Sequence, residues 1–493
     1  MPKLDRRSFL RTATAASFVA AGASMPVLAA PQTSGANSAV APAAAPAPPP
    51  AVTRILARYI ISAKYEDLPQ GVRKEGTRTL LNWVGVAVGA SHHEGVNDVI
   101  AALAPFSGPP QAAIMGRHER FDILNAAIIN GISTHIFDYD DTHPKTLIHA
   151  SSAVVPVALA LAEYQPVSGK DFLNAIVLGV ETIFRIANAV FPDHFQHGWH
   201  GAGTIGQFGA AVAAGKLLGL NEQQMIWTLG LAASQPVGLI ESFGSMNKSF
   251  NPGRAANNGL LSALLAARNF TSSNQMIEAK FGWANVASSK QDYREITEGL
   301  GTRYDAANNT YKPFACGIVL HPIIDAAIQL RNQYKLTAGQ IERIEMRVNP
   351  QVLVLTGQKT PREGLEGKFS VYHAVAVAVV EGAAGEKQFS QRAVRDPVVV
   401  ALRSKVVPVV DASIKTNQVD LTIITKDGRK LNKFIQHAVG SIEVPMSDVA
   451  LEAKVTDLAE GILPAAQIRQ LMDACWNVEK LPSAAAIAQA ATV

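Results

Sequence analysis

The chain has 493 residues, 48% hydrophobic and 17% charged, with a formal net charge of +4. That composition excludes a disordered chain or a small disulfide-stapled domain, and the length exceeds what one core usually holds. Lys3, Arg6, Arg7 and Arg11 against Asp5 supply most of the positive charge, and residues 30–493 carry only +1, so the balance calls for no nucleic-acid partner.

In chain order, Asp5-Arg-Arg-Ser-Phe-Leu-Arg11 and the mildly apolar run to Leu28 resemble a twin-arginine export signal. Val27-Leu28-Ala29 has small residues where a signal peptidase reads, which predicts cleavage after Ala29. The run is Ala- and Ser-rich and falls short of the ~20 strongly apolar residues of a permanent anchor. Residues 1–29 are thus expected to be read by the twin-arginine translocase and a signal peptidase, giving a periplasmic or secreted protein. Residues 30–51, rich in Pro and Ala, are expected to be a disordered tether.

From 52 to 310 the pattern predicts an all-helical domain. Its helices are expected over Arg73 to Ala90, Ile123 to Phe137, Val154 to Tyr164, Asp171 to Phe191, Gly203 to Leu218, Glu222 to Ala233 and Gly253 to Asn269. Several are apolar nearly all round, as in helices at the centre of a large bundle. Asn221 is placed to cap the helix opening at Glu222, and Gly219 to end the one before.

From 311 to 445 the texture becomes α+β. Ile341 to Val348 and Val419 to Thr425 alternate and are β-branched, and Lys426-Asp-Gly-Arg429 supplies a turn before Leu431 to Ile435. Helices are expected at Ile323 to Gln333 and Ser370 to Gly382. Over 446–493, helices at Asp448 to Ala459, Ala465 to Trp476 and Ser483 to Ala491 are expected to pack back on the first domain. The predicted fold class is mainly α: a large helical domain, a smaller α+β lid domain and returning C-terminal helices. Cys316 and Cys475 fit no CxxC pattern and are expected to be free and buried.

The chemistry concentrates in Phe137-Asp-Tyr-Asp-Asp-Thr-His-Pro-Lys-Thr-Leu-Ile-His149, which packs three carboxylates, the Thr142 hydroxyl and two imidazoles ahead of an apolar helix-like run. His149, His200 and His321 each precede an expected helix start, where free N–H groups and the dipole favour anions. Together, three such mouths would form a polyanion pocket. Lys248 and Arg254, in a Gly/Asn-rich stretch running into a helix, read as a carboxylate clamp.

In its motifs the chain resembles the MmgE/PrpD family, which includes 2-methylcitrate dehydratase, cis-aconitate decarboxylase and iminodisuccinate epimerase. The matching residues are Phe137 to Val155, Gly198-Trp-His200 with Gly203-Thr, Lys248 with Gly253 to Gly259, Lys312-Pro-Phe-Ala-Cys-Gly317 with His321-Pro, and Phe369-Ser-Val-Tyr-His-Ala374. The resemblance implies a cofactor-free, usually dimeric enzyme acting on di- or tricarboxylic acids between a helical and a lid domain. Asp138 and Thr142 match the family's DxxxT, His149, His200, Lys248 and His321 its other pocket positions, and His373 a position that is His or Tyr in relatives. Two departures are Ala150, where many relatives have Pro, and Asn251, where many have His.

These residues predict a lyase that removes a proton α to a carboxylate, 2-methylcitrate dehydratase-like, with decarboxylase or epimerase chemistry as alternatives on the same scaffold. His149 or His200 would be the base, with the other or His321 as acid. Asp138 would orient a histidine, and Thr142, Lys248, Arg254 and His373 would bind substrate. No metal is expected. The readings weighed against this one are a metal hydrolase built on His194, His197 and His200, and an exported carboxylate-binding protein without catalysis.

Overall fold

A computed structural model describes residues 51–493; the expected export signal and the tether up to residue 50 lie outside the described residues. The fold is mainly α, with a large helical body, a small sheet region and C-terminal helices that return to the body. The body contains helices Gln70–Gly89, Ile123–Ile136, Ser151–Tyr164, Gly169–Val190, Gly206–Leu217, Glu222–Ala233 and Asn247–Ala267. Gly169–Val190 is long and apolar enough to cross a membrane, but it is buried from Phe172 to Val190 as a core helix. Asn221 and Gln224 form a reciprocal capping box at the start of Glu222–Ala233.

Two boundaries differ from expectation in ways that matter. The expected helix from Gly203 breaks at Ile205 into Gly201–Thr204 and Gly206–Leu217. The helix expected from Gly253 begins at Asn247 and runs through Pro252, which lies in its second turn and leaves the carbonyl of Lys248 without its intrahelical N–H partner. Lys248 is therefore a first-turn helical residue, not part of a preceding loop.

This helix crosses Ile123–Ile136 backbone to backbone. A Cβ on Gly253 would lie 2.7 Å from Ile128 O, and one on Gly131 2.8 Å from Gly253 Cα. The contact brings the chain leaving Ile136 beside the first turn at Lys248, which is where the functional side chains meet.

The lid sheet has the order Val406–Val410, Ile341–Val348, Val419–Thr425, Lys430–Ile435. The first pair is parallel and the other two antiparallel, with the expected turn at Lys426 to Arg429 and Gly428 at φ 87°. Val419, Leu421, Ile423 and Thr425 face inward by the two-residue alternation of a strand and share a core with helices His321–Tyr334 and Val371–Glu381. Val406–Val410 was not expected as a strand. Pro408 argues against one in a sheet interior, and the structure accommodates it at the edge.

Helix Asp448–Ala459 lies along Gln70–Gly89: Arg78 pairs with Asp448 and donates to Met446 O at 2.6 Å, and Lys454 donates to Asn82 Oδ1 at 2.8 Å. Helices Ala465–Trp476 and Ala485–Ala490 follow it. Cys316 and Cys475 are free and buried, as expected.

Candidate active site

Helix Ile123–Ile136 ends with Phe137, and Asp138 adopts a left-handed conformation at φ 50°. The short strand Asp141–Thr142 pairs antiparallel with Thr310–Tyr311, and a tight return bridging His143 to Ile148 brings His149 back against residues 140–142. The three acidic residues of the motif thereby take three separate positions.

Asp138 faces two ammonium groups. Lys248 Nζ and Lys312 Nζ each lie 2.7 Å from its Oδ1, and Lys312 also donates to its backbone carbonyl at 3.0 Å. Burial pushes this carboxyl up, but the two lysine charges outweigh it and hold the group well below the usual carboxylate range. Lys248 shifts down through burial, partly offset by Asp138, and its Nζ sits against the faces of Phe243 and Phe369 at 5.4 and 5.7 Å.

Asp140 lies between two imidazoles. Its Oδ2 is 2.6 Å from His135 Nδ1, and its Oδ1 is 3.2 Å from His149 Nδ1. Burial pushes His135 down to about 4, so the ring is neutral near pH 7 and donates Nδ1–H to the carboxylate. Asp141 points the other way and caps helix Ser151–Tyr164: its carboxylate accepts from Ser151 N at 3.3 Å, from the Ser151 hydroxyl, and from Asn309 Nδ2 at 2.8 Å. That helix mouth is filled from within the chain.

The two histidines are held in opposite tautomers. His149 Nδ1 is 2.8 Å from Asp141 O and 3.2 Å from Thr142 Oγ1. A carbonyl can only accept, so Nδ1 carries a proton, and in the neutral ring the bare nitrogen is Nε2, 3.9 Å from Asp138 Oδ1. His200 Nδ1 accepts from Asn251 Nδ2 at 2.9 Å, which leaves the proton on Nε2. Burial, with His135 and Lys248 nearby, pushes His200 well below its ordinary value and keeps it neutral. Lys248 and Asn251 are three residues apart and share a face of one helix.

Asp138, His149, His200, Lys248 and Lys312 line one cleft that encloses about 730 Å³, including its solvent-open mouth. The structure brings these expected residues together and adds Lys312, quoted in the sequence only as part of a motif, and His135 with Asp140 behind the wall. Four expected site residues lie elsewhere. Thr142 is fully buried behind His149 and is absent from the cleft wall, so it is placed to hold the imidazole, not a substrate carboxylate.

Arg254 bonds Asn257 Oδ1 at 3.0 Å. Because the helix starts at Asn247, Arg254 lies six residues past Lys248, on another face, instead of in the first turn. His321 lines a neighbouring cavity beyond Ile318 and Val319, where burial pushes it down to about 3. His373 is in the lid core, with Nε2 2.9 Å from Gln388 O. The pocket of three helix mouths expected for a polyanion is therefore not assembled.

His194, His197 and His200 do not converge either: His197 is exposed and bonds Asp193 O, while His194 Nε2 bonds Thr204 Oγ1 at 3.1 Å. Among the described residues, the group near enough to hold a metal is His135, Asp140 and His149. There His135 Nδ1 already bonds Asp140 Oδ2, and His149 Nδ1 would have to give up its bond to Asp141 O.

The MmgE/PrpD N-terminal domain family matches residues 54–296, and the MmgE/PrpD C-terminal domain family matches residues 314–478. A cis-aconitate decarboxylase-like protein of Aspergillus oryzae is 25% identical over 461 residues, covering 87% of this chain and 94% of its own. Cis-aconitate decarboxylase of Aspergillus terreus strain NIH 2624 is 25% identical over 464 residues, with the same coverage. The enzyme of that name from Mus musculus is 26% identical over 449 residues, covering 87% and 91%.

Proposed function

Since the chain belongs to the MmgE/PrpD family in both of its domains, we propose that it is a cofactor-independent lyase that moves a proton at a carbon α to a carboxylate. One observation carries this reading: a bare imidazole nitrogen on His149 and an imidazole N–H on His200 line the same cleft as two lysine ammonium groups. A base, an acid and an anion-stabilising pair are what carbon-acid chemistry needs.

In the forward direction His149 Nε2 takes the α-proton, and the C–H electron pair enters an enolate whose charge moves onto carboxylate oxygens beside Lys248 and Lys312. If a β-hydroxyl leaves, His200 Nε2–H protonates it and water departs. In a decarboxylation the C–CO₂ bond breaks in place of the C–H bond, and no proton is removed first. The electron pair stays on the carbon that loses CO₂ and is delocalised toward the lysine pair, and that carbon takes one proton from His200. Asp140 and the Asp141 carbonyl hold His149 in the needed tautomer, and Asp138 keeps the two ammonium groups side by side.

The names of the relatives weigh toward the decarboxylase alternative over the dehydratase expected from the motifs. Incubating the protein in D₂O with unsaturated and hydroxylated carboxylic acids, with NMR following α-exchange, CO₂ loss and C=C formation, tests the reading. Exchange that disappears in His149→Gln supports it, and exchange that persists there refutes the assignment of the base. Export by the twin-arginine route and assembly as a homodimer remain proposals, testable by cell fractionation and by light scattering.

A further inference from the structure

Every charged side chain lining the cleft sits at Asp138. Lys248 and Lys312 share its Oδ1 at 2.7 Å each, and the His149 ring approaches it at 3.9 Å. Two ammonium groups against one carboxylate leave a single positive charge for a ligand. Arg254 and His321 are not on the wall, and Asp141 occupies the helix mouth at Ser151.

The remaining wall is mainly apolar, built from Leu147, Val190, Phe191, Phe195, Val319 and Leu355 among others, with Thr146 and Thr356 as its hydroxyl residues. Its titratable member is His194, whose Nε2 is engaged by Thr204 Oγ1. Lys248 is itself flanked by the rings of Phe243 and Phe369, which continue the apolar wall up to the ammonium group. A tricarboxylate bound here would carry an outlying carboxylate against walls with no further cationic side chain, where the hydroxyls of Thr146 and Thr356 already bond His143 Nδ1 and Val352 O, and an unpaired buried charge is strongly disfavoured. An alkyl chain or aromatic ring would gain from the same walls.

We propose that the substrate is a carboxylic acid with its charge gathered at one end, where the Lys248–Lys312 pair meets it, and with an apolar chain or ring filling the wall formed by Val190, Phe191, Phe195 and Leu355. This deepens the lyase reading and rests on it for the placement of the reacting carbon. It departs from the tricarboxylate implied by the names of the relatives, because this chain's wall supplies one cationic end and an apolar slot.

A matched pair of probes tests it on the whole protein. 2-Benzylsuccinate and tricarballylate are both 2-substituted succinates, one carrying a phenyl where the other carries a third carboxylate. Calorimetric titration is expected to show 2-benzylsuccinate binding at least about tenfold tighter. Leu355→Lys, at the half-buried rim, is expected to shrink that preference at least about fivefold by placing a cation at the apolar end.

Equal or tighter binding of tricarballylate overturns the proposal, as does failure to bind either acid. An unchanged preference in Leu355→Lys overturns the placement of the apolar arm. α-Deuterium exchange in the same samples reads the chemistry separately. The predicted binding order without exchange supports the ligand class while refuting the lyase reading, and exchange of tricarballylate in preference to 2-benzylsuccinate does the reverse.

Discussion

Replacing Asn251 by Asp changes one atom's role and almost no volume. In the structure Asn251 Nδ2 donates to His200 Nδ1 at 2.9 Å and to Ser242 Oγ at 3.2 Å. A carboxylate there can only accept, so His200 must turn its proton to Nδ1 and present a bare Nε2 to the cleft. The site would then hold two bases and no imidazole acid. General acid catalysis contributes about 10²–10⁴ in rate, so turnover should fall at least about 100-fold, which corresponds to about 2.7 kcal/mol.

The pH profile gives a second readout. Burial holds His200 far below its ordinary value in the native protein, so it should add no limb to the rate across about pH 5.5–8.5. A neighbouring negative charge raises an imidazole pKa, so the variant should regain its acid, and part of its rate, as pH falls. Steady-state rates on whichever acid turns over, measured with a folding check by circular dichroism, would decide. A variant within about threefold of the native rate at neutral pH and without a new acid-side limb would refute the tautomer argument.

Other consequences are equally concrete. Asp140→Asn should lower turnover about 10- to 100-fold, less than loss of the base itself, because Asp141 O still holds His149 Nδ1; a rate at the His149→Gln level would show that Asp140 does more than position. Gly253→Ala should destabilise the fold by about 3 kcal/mol, since its methyl would meet Ile128 O, and chemical denaturation would measure it. Burial pushes His135, His143, His194 and His373 to about 4. Their folded pKa values lie below the unfolded ones, so the unfolded chain binds protons first. Stability is therefore fully present above about pH 6.5 and lost as pH falls toward about 4, by up to roughly 2 kcal/mol per ring between pH 7 and pH 5. Melting temperatures that stay flat down to about pH 5 would contradict this.

Most of the fold is legible in the sequence because long apolar helices and alternating strands carry their own period. Helix Glu222–Ala233 and the hairpin at Gly428 fall where their caps and turn residues place them. Val406–Val410 escapes because its strand character comes from an edge position beside Ile341–Val348, which local sequence does not encode. The start of Asn247–Ala267 escapes because Pro252 and Gly253 read as a beginning, whereas Gly253 serves the crossing with Gly131.

The site divides in the same manner. Asp138, His149, His200 and Lys248 are recognisable by type and spacing, while the distinct duties of Asp138, Asp140 and Asp141 depend on a turn that only three-dimensional geometry sets. His135, five residues before Asp140, was the overlooked signal within reach. Arg254 misleads because a helix that begins six residues earlier rotates it onto another face.

Three successive carbonyls of the reactive loop are each gripped by a different buried lysine: Phe137 O by Lys368 at 2.7 Å, Asp138 O by Lys312 at 3.0 Å and Tyr139 O by Lys454 at 2.7 Å. The first comes from the lid, the second from the segment that enters it, and the third from a helix added near the end of synthesis. The three carbonyls are all held only when all three lysines have arrived. A nascent or clipped chain lacking residues beyond about 445 has no Lys454 to hold Tyr139 O, so the reactive loop acquires its last support only when the end of the chain has packed.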